Sequence, residues 1–95
     1  VKEGDSQRYR SQIRIYYDIL RALDNDPEVK ITHLIHQVNL PYDRLKEYLR
    51  LMNKRGLIEI PENEEQRIAV TEKGKRFLSE YHQMERWALA FGIEL

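Results

Sequence analysis

Two short runs in which apolar and polar residues alternate, LIEIP (57–61) and RIAVT (67–71), interrupt a chain otherwise written in helical periods. Alternation with period two turns one side of an extended segment toward a core, so these runs, separated by ENEEQ (62–66), read as a β-hairpin. Pro61 is acceptable there because it falls at a strand end. A hairpin set between helices confines the chain to a mainly helical α+β architecture. At 95 residues it has material for one core, and with no cysteine that core must rest on packing rather than disulfides or thiolate metal sites.

The helices can be placed around the hairpin. In SQIRIYYDILRALDNDP, Ile13, Tyr16, Tyr17, Leu20 and Leu23 recur at helical spacing until Asn25, Asp26 and Pro27 stop the pattern, which predicts a first helix from about Ser6 to Asp24. Thr32 is the expected N-cap of a short second helix with Leu34, Ile35 and Val38 inward, ending near Asn39. Pro41 suits the first position of a third helix, where its missing N–H costs nothing. Leu45, Tyr48, Leu49 and Met52 then face the core, and Gly56 is the left-handed residue that ends the helix. Thr71 is placed to cap a last helix, TEKGKRFLSEYHQMERWALAF, which Gly92 terminates. Helix, short helix, turn, helix, hairpin, helix is the order of a winged helix-turn-helix domain.

The residues NLPYDRLKEYL, then GLIEI and TEKGKRFL, together with YYDILRAL in the first helix, resemble the Sso10a-like family of small archaeal winged-helix DNA-binding proteins. The similarity covers most of the chain. It implies double-stranded DNA as partner and a homodimer joined by an antiparallel coiled coil of C-terminal helices. Two features depart from that family: Pro41 stands where a hydroxyl cap is usual, and the wing tip ENEEQ is acidic where a DNA-contacting wing is expected to be basic.

Charge is distributed in blocks even though the net charge is zero. Between Pro41 and Gly56, five bases (Arg44, Lys46, Arg50, Lys54, Arg55) stand against two acids (Asp43, Glu47), a local excess of +3. On a helical wheel centred on Leu45, Leu49 and Met52, the far side carries Asp43, Lys46, Glu47, Arg50 and Lys54, with Arg44 at the margin. In a helix-turn-helix that side faces the major groove, so Arg44, Lys46, Glu47 and Arg50 are the candidate base contacts, while Lys54 and Arg55 are better placed for phosphate. Arginine can pair bidentately with guanine and a carboxylate can accept from cytosine, each good pair contributing roughly 1 to 3 kcal/mol of discrimination. The bland alternative is a solvated helix surface stitched by Asp43–Lys46 and Glu47–Arg50 pairs.

Backbone contacts that fix register without reading sequence are expected from Thr32, His33, His36 and Gln37, and from Arg8, Arg10 and Arg14. Arg67, at the base of the hairpin, is the wing residue expected near phosphate. Glu62, Glu64 and Glu65 at the tip would be repelled there. His33 and His36 are three apart on a helix, but no carboxylate or cysteine completes a metal site, so no metal and no cofactor are expected.

In the last helix Phe77, Tyr81, Met84, Ala88, Phe91 and Leu95 are spaced four, three, four, three, four, an a/d seam of over two heptads. Leu78 and Trp87 fall off it, making the helix apolar over a wider arc than one small domain can cover. The expected organisation is a winged-helix domain over residues 1–76 and a continuous dimerisation helix over 77–95. Tyr81, Met84, Trp87, Ala88 and Phe91 are the dimer contacts, and the antiparallel orientation comes from the resemblance alone.

The functional expectation is a homodimeric DNA-binding protein, either a transcriptional regulator or a chromosome-organising protein. The rival is a winged helix used as a protein-interaction module. Catalysis is not expected, because the sequence offers no nucleophile and base at recognisable spacing and no Gly-rich phosphate loop, and no small-molecule substrate is indicated. VKEGDSQRYR has no signal-peptide apolar region and no run reaches membrane-spanning length, so a cytoplasmic, nucleoid-associated location is expected and no membrane partner.

Overall fold

The computed structural model describes residues 10–62 and 67–95. Four helices, α1 (Gln12–Asn25), α2 (Ile31–Val38), α3 (Tyr42–Lys54) and α4 (Glu72–Ala90), surround one antiparallel pair of strands, β1 (Ile58–Glu59) and β2 (Ala69–Val70). Ile58 pairs with Val70 and Glu59 with Ala69. This is the winged-helix order expected from the sequence, although the strands are shorter than the alternating runs that announced them. None of the helices among the described residues is long and apolar enough to cross a membrane.

Local chemistry sets the boundaries. α1 begins at Gln12, where the Ser11 side chain accepts from the Arg14 amide, rather than near Ser6, which lies outside the described residues. A hydroxyl that satisfies one of the helix's open amides defines the start more sharply than apolar spacing can. Thr32 is not the cap of α2: the helix opens one residue earlier, at Ile31, from an extended Lys30 that makes no side-chain cap. Pro41 likewise precedes the first helical residue of α3, with extended backbone, instead of occupying it.

The C-terminal stops have a common design. Gly56 and Gly92 take left-handed φ values of 78° and 75°. In each case the following amide reaches back to the helix, Leu57 to the Met52 carbonyl and Ile93 to the Ala88 carbonyl, so that the last carbonyls are satisfied. Asn39 ends α2 in the same left-handed region, and the Leu40 amide donates to the Ile35 carbonyl. A sharp stop at Asn39 leaves just Leu40 and Pro41 before α3, which makes the helix–turn–helix corner tight.

One core joins these elements, and α1 lies at its centre. Ile15, Tyr16, Tyr17, Ile19, Leu20 and Leu23 are all buried, an arc wider than the single face read from spacing. The physical reason is that α1 packs against α2 and against both α4 and β2, so Ile15 and Ile19 are covered as well. Ile13, expected in that face, sits in the first turn and remains 47% exposed. α3 contributes Leu45, Leu49 and Met52, and α2 contributes Leu34 and Val38.

The GLI and TEKG segments meet at one junction. The Thr71 hydroxyl donates to the Gly56 carbonyl at 2.6 Å and accepts from the Gly74 amide at 3.0 Å, while Lys73 Nζ donates to the Arg55 carbonyl at 2.8 Å. A Cβ on Gly74 would lie 2.3 Å from the Leu57 carbonyl oxygen, so only glycine lets α4 approach the strand this closely. The end of α3, the start of the wing and the start of α4 are thereby locked together.

Candidate nucleic-acid interface

α3 is held by its inner face and is free on the other. Leu45, Leu49 and Met52 are fully enclosed, whereas Asp43, Arg44, Lys46, Glu47, Arg50 and Lys54 are all exposed. The Arg55 guanidinium, although exposed, anchors the far end of α3 to α1 by donating to the Tyr16 hydroxyl at 2.9 Å.

The exposed cations are pre-arranged by weak local contacts. The Arg44 guanidinium lies over the Tyr48 ring at 5.8 Å and the Lys46 ammonium over the Tyr42 ring at 5.3 Å, which puts one cation–π pair on each margin of the outward face. Between them Arg50 donates to the Glu47 carboxylate at 2.5 Å, a hydrogen bond that, with the carboxylate's charge, raises the arginine pKa further above its ordinary value. Contacts of this kind on an open surface are easily exchanged for a ligand's acceptors.

Of the α2 residues expected to meet backbone, Thr32, His33, His36 and Gln37 are all exposed. The candidates at and just before the start of α1 have a different fate. Arg10 donates to Asp18 at 2.6 Å and to the Val38 carbonyl at 2.8 Å, capping the end of α2. Arg14 bonds Asp18 at 3.2 Å and reaches Glu85 at 3.6 Å, and its hydrogen bond to the Tyr81 hydroxyl, reinforced by those two carboxylates, raises its pKa. Arg10 through its two terminal nitrogens, and Arg14, tie α1 to α2 and α4, and withdrawing them for phosphate would leave Asp18 with no partner in a half-buried position. Arg8 lies outside the described residues.

Arg67 is exposed at the base of the wing and pairs with Glu28, in the turn after α1, at 3.0 Å. Glu62 is exposed too, while Glu64 and Glu65 lie outside the described residues.

The predicted seam of α4 divides in two. Tyr81 is buried beneath Tyr17, the rings stacked with centroids 4.1 Å apart, and Ala88 is also buried within this chain. Met84, Trp87 and Phe91 are 37%, 62% and 68% exposed, with the Trp87 and Phe91 rings 5.1 Å apart. Leu89, Ile93 and Leu95 add to this open apolar end. α4 runs without a break across the boundary expected at residue 76, and its first half belongs to the core through Leu78 and Tyr81.

Tyr42 was not among the expected contacts. Its spacing to Leu45 and Leu49 reads inward, yet as the first residue of α3 it projects past the residues that could cover it and stays 49% exposed. The usable signal was its i,i+4 spacing to Lys46, which seats a cation on the ring.

A family model described as winged helix-turn-helix matches residues 9–89. Among solved structures, the chain is similar to the crystal structure of Sso10a-2, a DNA-binding protein from Sulfolobus solfataricus. The TM-score is 0.69 and the identity 26%, over 86% of this chain and 85% of that one. The comparison with curated proteins found no match.

Proposed function

The chain belongs to the winged helix-turn-helix family, and from that premise we propose that it is a homodimeric protein that binds double-stranded DNA with the outward face of α3 in the major groove. The observation that carries this reading is the division of α3: an inner face enclosed by the core, and an outer face bearing Arg44, Lys46, Arg50 and Lys54 in solvent. Similarity to a DNA-binding protein supports the same partner. Arg44, Lys46, Glu47 and Arg50 stand in the half of the helix that meets base edges, with Lys54 further along for phosphate. Thr32 and His33 on α2 supply register contacts, and Arg67 reaches phosphate only by exchanging Glu28 for it.

Dimerisation uses the outer half of α4. Met84, Trp87 and Phe91 present an apolar surface beside the half that is already spent on the domain. Tyr81 and Ala88, buried at home, shape that surface from behind. Two heads on one duplex gain effective concentration that one head lacks, so dimer and DNA binding reinforce each other.

The test is a titration of random-sequence duplex at several salt concentrations. Binding that weakens steeply with salt, and weakens further in Arg44→Ala with Arg50→Ala, supports the assignment. The rival reading, a protein-interaction module, draws on the exposed acids Glu59 and Glu62 and the zero net charge. Failure to bind heparin or duplex at low salt would select it. Selection of bound sequences from random pools separates the two forms of the main reading: a strong motif marks a regulator, and none marks a chromosome-organising protein.

A further inference from the structure

Tyr42 is an exposed aromatic on an otherwise charged surface. Apart from Ile13, Ile60 and the open end of α4, it is the one large apolar side chain among the described residues left open to solvent. It takes no part in the core cluster, although Tyr48, one and a half turns along the same helix, packs against that cluster. Its position is tightly constrained. Pro41 immediately before it holds φ at −64° in an extended conformation, the Pro41 carbonyl accepts from the Leu45 amide, and Lys46 sits over the ring at 5.3 Å. The result is an exposed aromatic ring with a cation beside it, at the N-terminal end of α3.

We propose that Tyr42 is a specificity-determining residue that packs its ring against the C5-methyl group of thymine in the major groove. The proposal rests on the reading of α3 given above. Thymine is the base that presents an apolar group on the major-groove edge, and an aromatic or aliphatic side chain is the complementary surface. An acidic or purely cationic helix end would have no means of registering that methyl. Lys46, carried on the same ring, is then delivered to an acceptor on a neighbouring base edge or phosphate. Asp43, next to Tyr42, disfavours a phosphate close to this end of the helix, which turns the ring toward bases rather than toward the backbone.

The methyl can be removed without touching the protein. The wild-type protein, Tyr42→Ala and Tyr42→Phe are titrated against an alternating adenine–thymine duplex and the same duplex with deoxyuridine in place of thymidine, where every register offers or lacks the methyl. Burying one methyl corresponds to about a fourfold change in Kd, and that is the ratio expected for wild type. Tyr42→Phe keeps the ratio because the ring remains, and Tyr42→Ala brings it to about one. Arg44→Ala weakens both duplexes alike and leaves the ratio intact. Circular dichroism should be unchanged in all three variants, since neither Tyr42 nor Arg44 is part of the core. A ratio that survives Tyr42→Ala, or is absent in wild type, overturns the proposal, and so does a ratio lost in Tyr42→Phe, which would indicate a hydroxyl contact. A wild-type protein that binds neither duplex removes the DNA-binding reading itself, and the two failures are therefore distinguishable.

Discussion

α3 and α4 solve the same local problem with opposite surfaces. Each is an amphipathic helix that gives one face to the core, through Leu45, Leu49 and Met52 in one case and Leu78 and Tyr81 in the other. What remains on α3, beyond Tyr42 at its start, is charge: Asp43, Arg44, Lys46, Glu47, Arg50 and Lys54. What remains on α4 is Met84, Trp87 and Phe91. A phosphate-rich duplex can answer the first surface and has nothing to offer the second, whereas another apolar helix can answer the second and would leave the first unpaired. On the proposed reading, the difference gives each of the two faces its own partner.

The largest effect is expected where the apolar surface is broken. Met84→Asp puts a charge into the centre of the proposed interface of both protomers, and an uncompensated buried charge costs about 3 to 5 kcal/mol. Dimer association should weaken by at least about a hundredfold while the domain stays folded, because Met84 is outside its core. Sedimentation equilibrium decides: a wild-type monomer at tens of micromolar, or a mutant that stays dimeric, would erase the contrast between the two helices.

Next comes the inner half of α4. Gly74→Ala should destabilise the fold by about 1 to 3 kcal/mol, since the added methyl would meet the Leu57 carbonyl oxygen and Val70 Cγ1 and the strand must move. Urea denaturation measures it. Trp87→Ala, in the outer half, should leave the unfolding midpoint nearly unchanged once the protein is dilute enough to be monomeric. Equal losses in the two variants would mean that α4 is a single packing unit and not a helix shared between domain and dimer.

These two variants also mark what the sequence could and could not reveal. The inner face of α3 and the stops at Gly56 and Gly92 were legible because each depends on spacing or on a residue with special backbone freedom. The split of the α4 seam was not, because spacing shows that Tyr81 and Met84 are apolar without showing that Tyr17 covers one of them. Burial of Ile15 and Ile19 was missed for the same reason: it requires knowing that α1 lies between α2 and α4. Arg10 and Arg14 looked available in the sequence and are engaged in the structure, where Asp18, Glu85 and the Val38 carbonyl, supplied by three helices, converge on them.

On the charged side the effects should be smaller and additive in character. Arg44→Ala and Arg50→Ala are each expected to weaken duplex binding by about tenfold without changing circular dichroism. Lys54→Ala should weaken all sequences about equally and lower the salt slope by about one, as a phosphate contact does. Wild-type affinity in the double arginine variant at matched salt would sink the assignment of α3, and the comparison would then be between two protein-binding surfaces.

The smallest effect is expected at the wing, the region whose charge fits neither surface. Glu62→Gln with Glu64→Gln and Glu65→Gln removes three negative charges from the segment that links β1, which packs beside α3, to β2. If the tip approaches the duplex, those carboxylates oppose it, and their removal should raise affinity for random duplex by less than about tenfold and steepen its salt dependence. Arg67 bears on the direction of the change. It pairs with Glu28 at 3.0 Å across an exposed surface, so the neighbouring carboxylate offsets its positive charge at the base of the wing unless a phosphate takes Glu28's place. Adding Glu28→Gln to the triple variant should release Arg67 and increase the salt slope again. An unchanged slope in both variants would put the wing away from DNA and leave α3 as the principal cationic surface, with the acidic loop free to meet a protein.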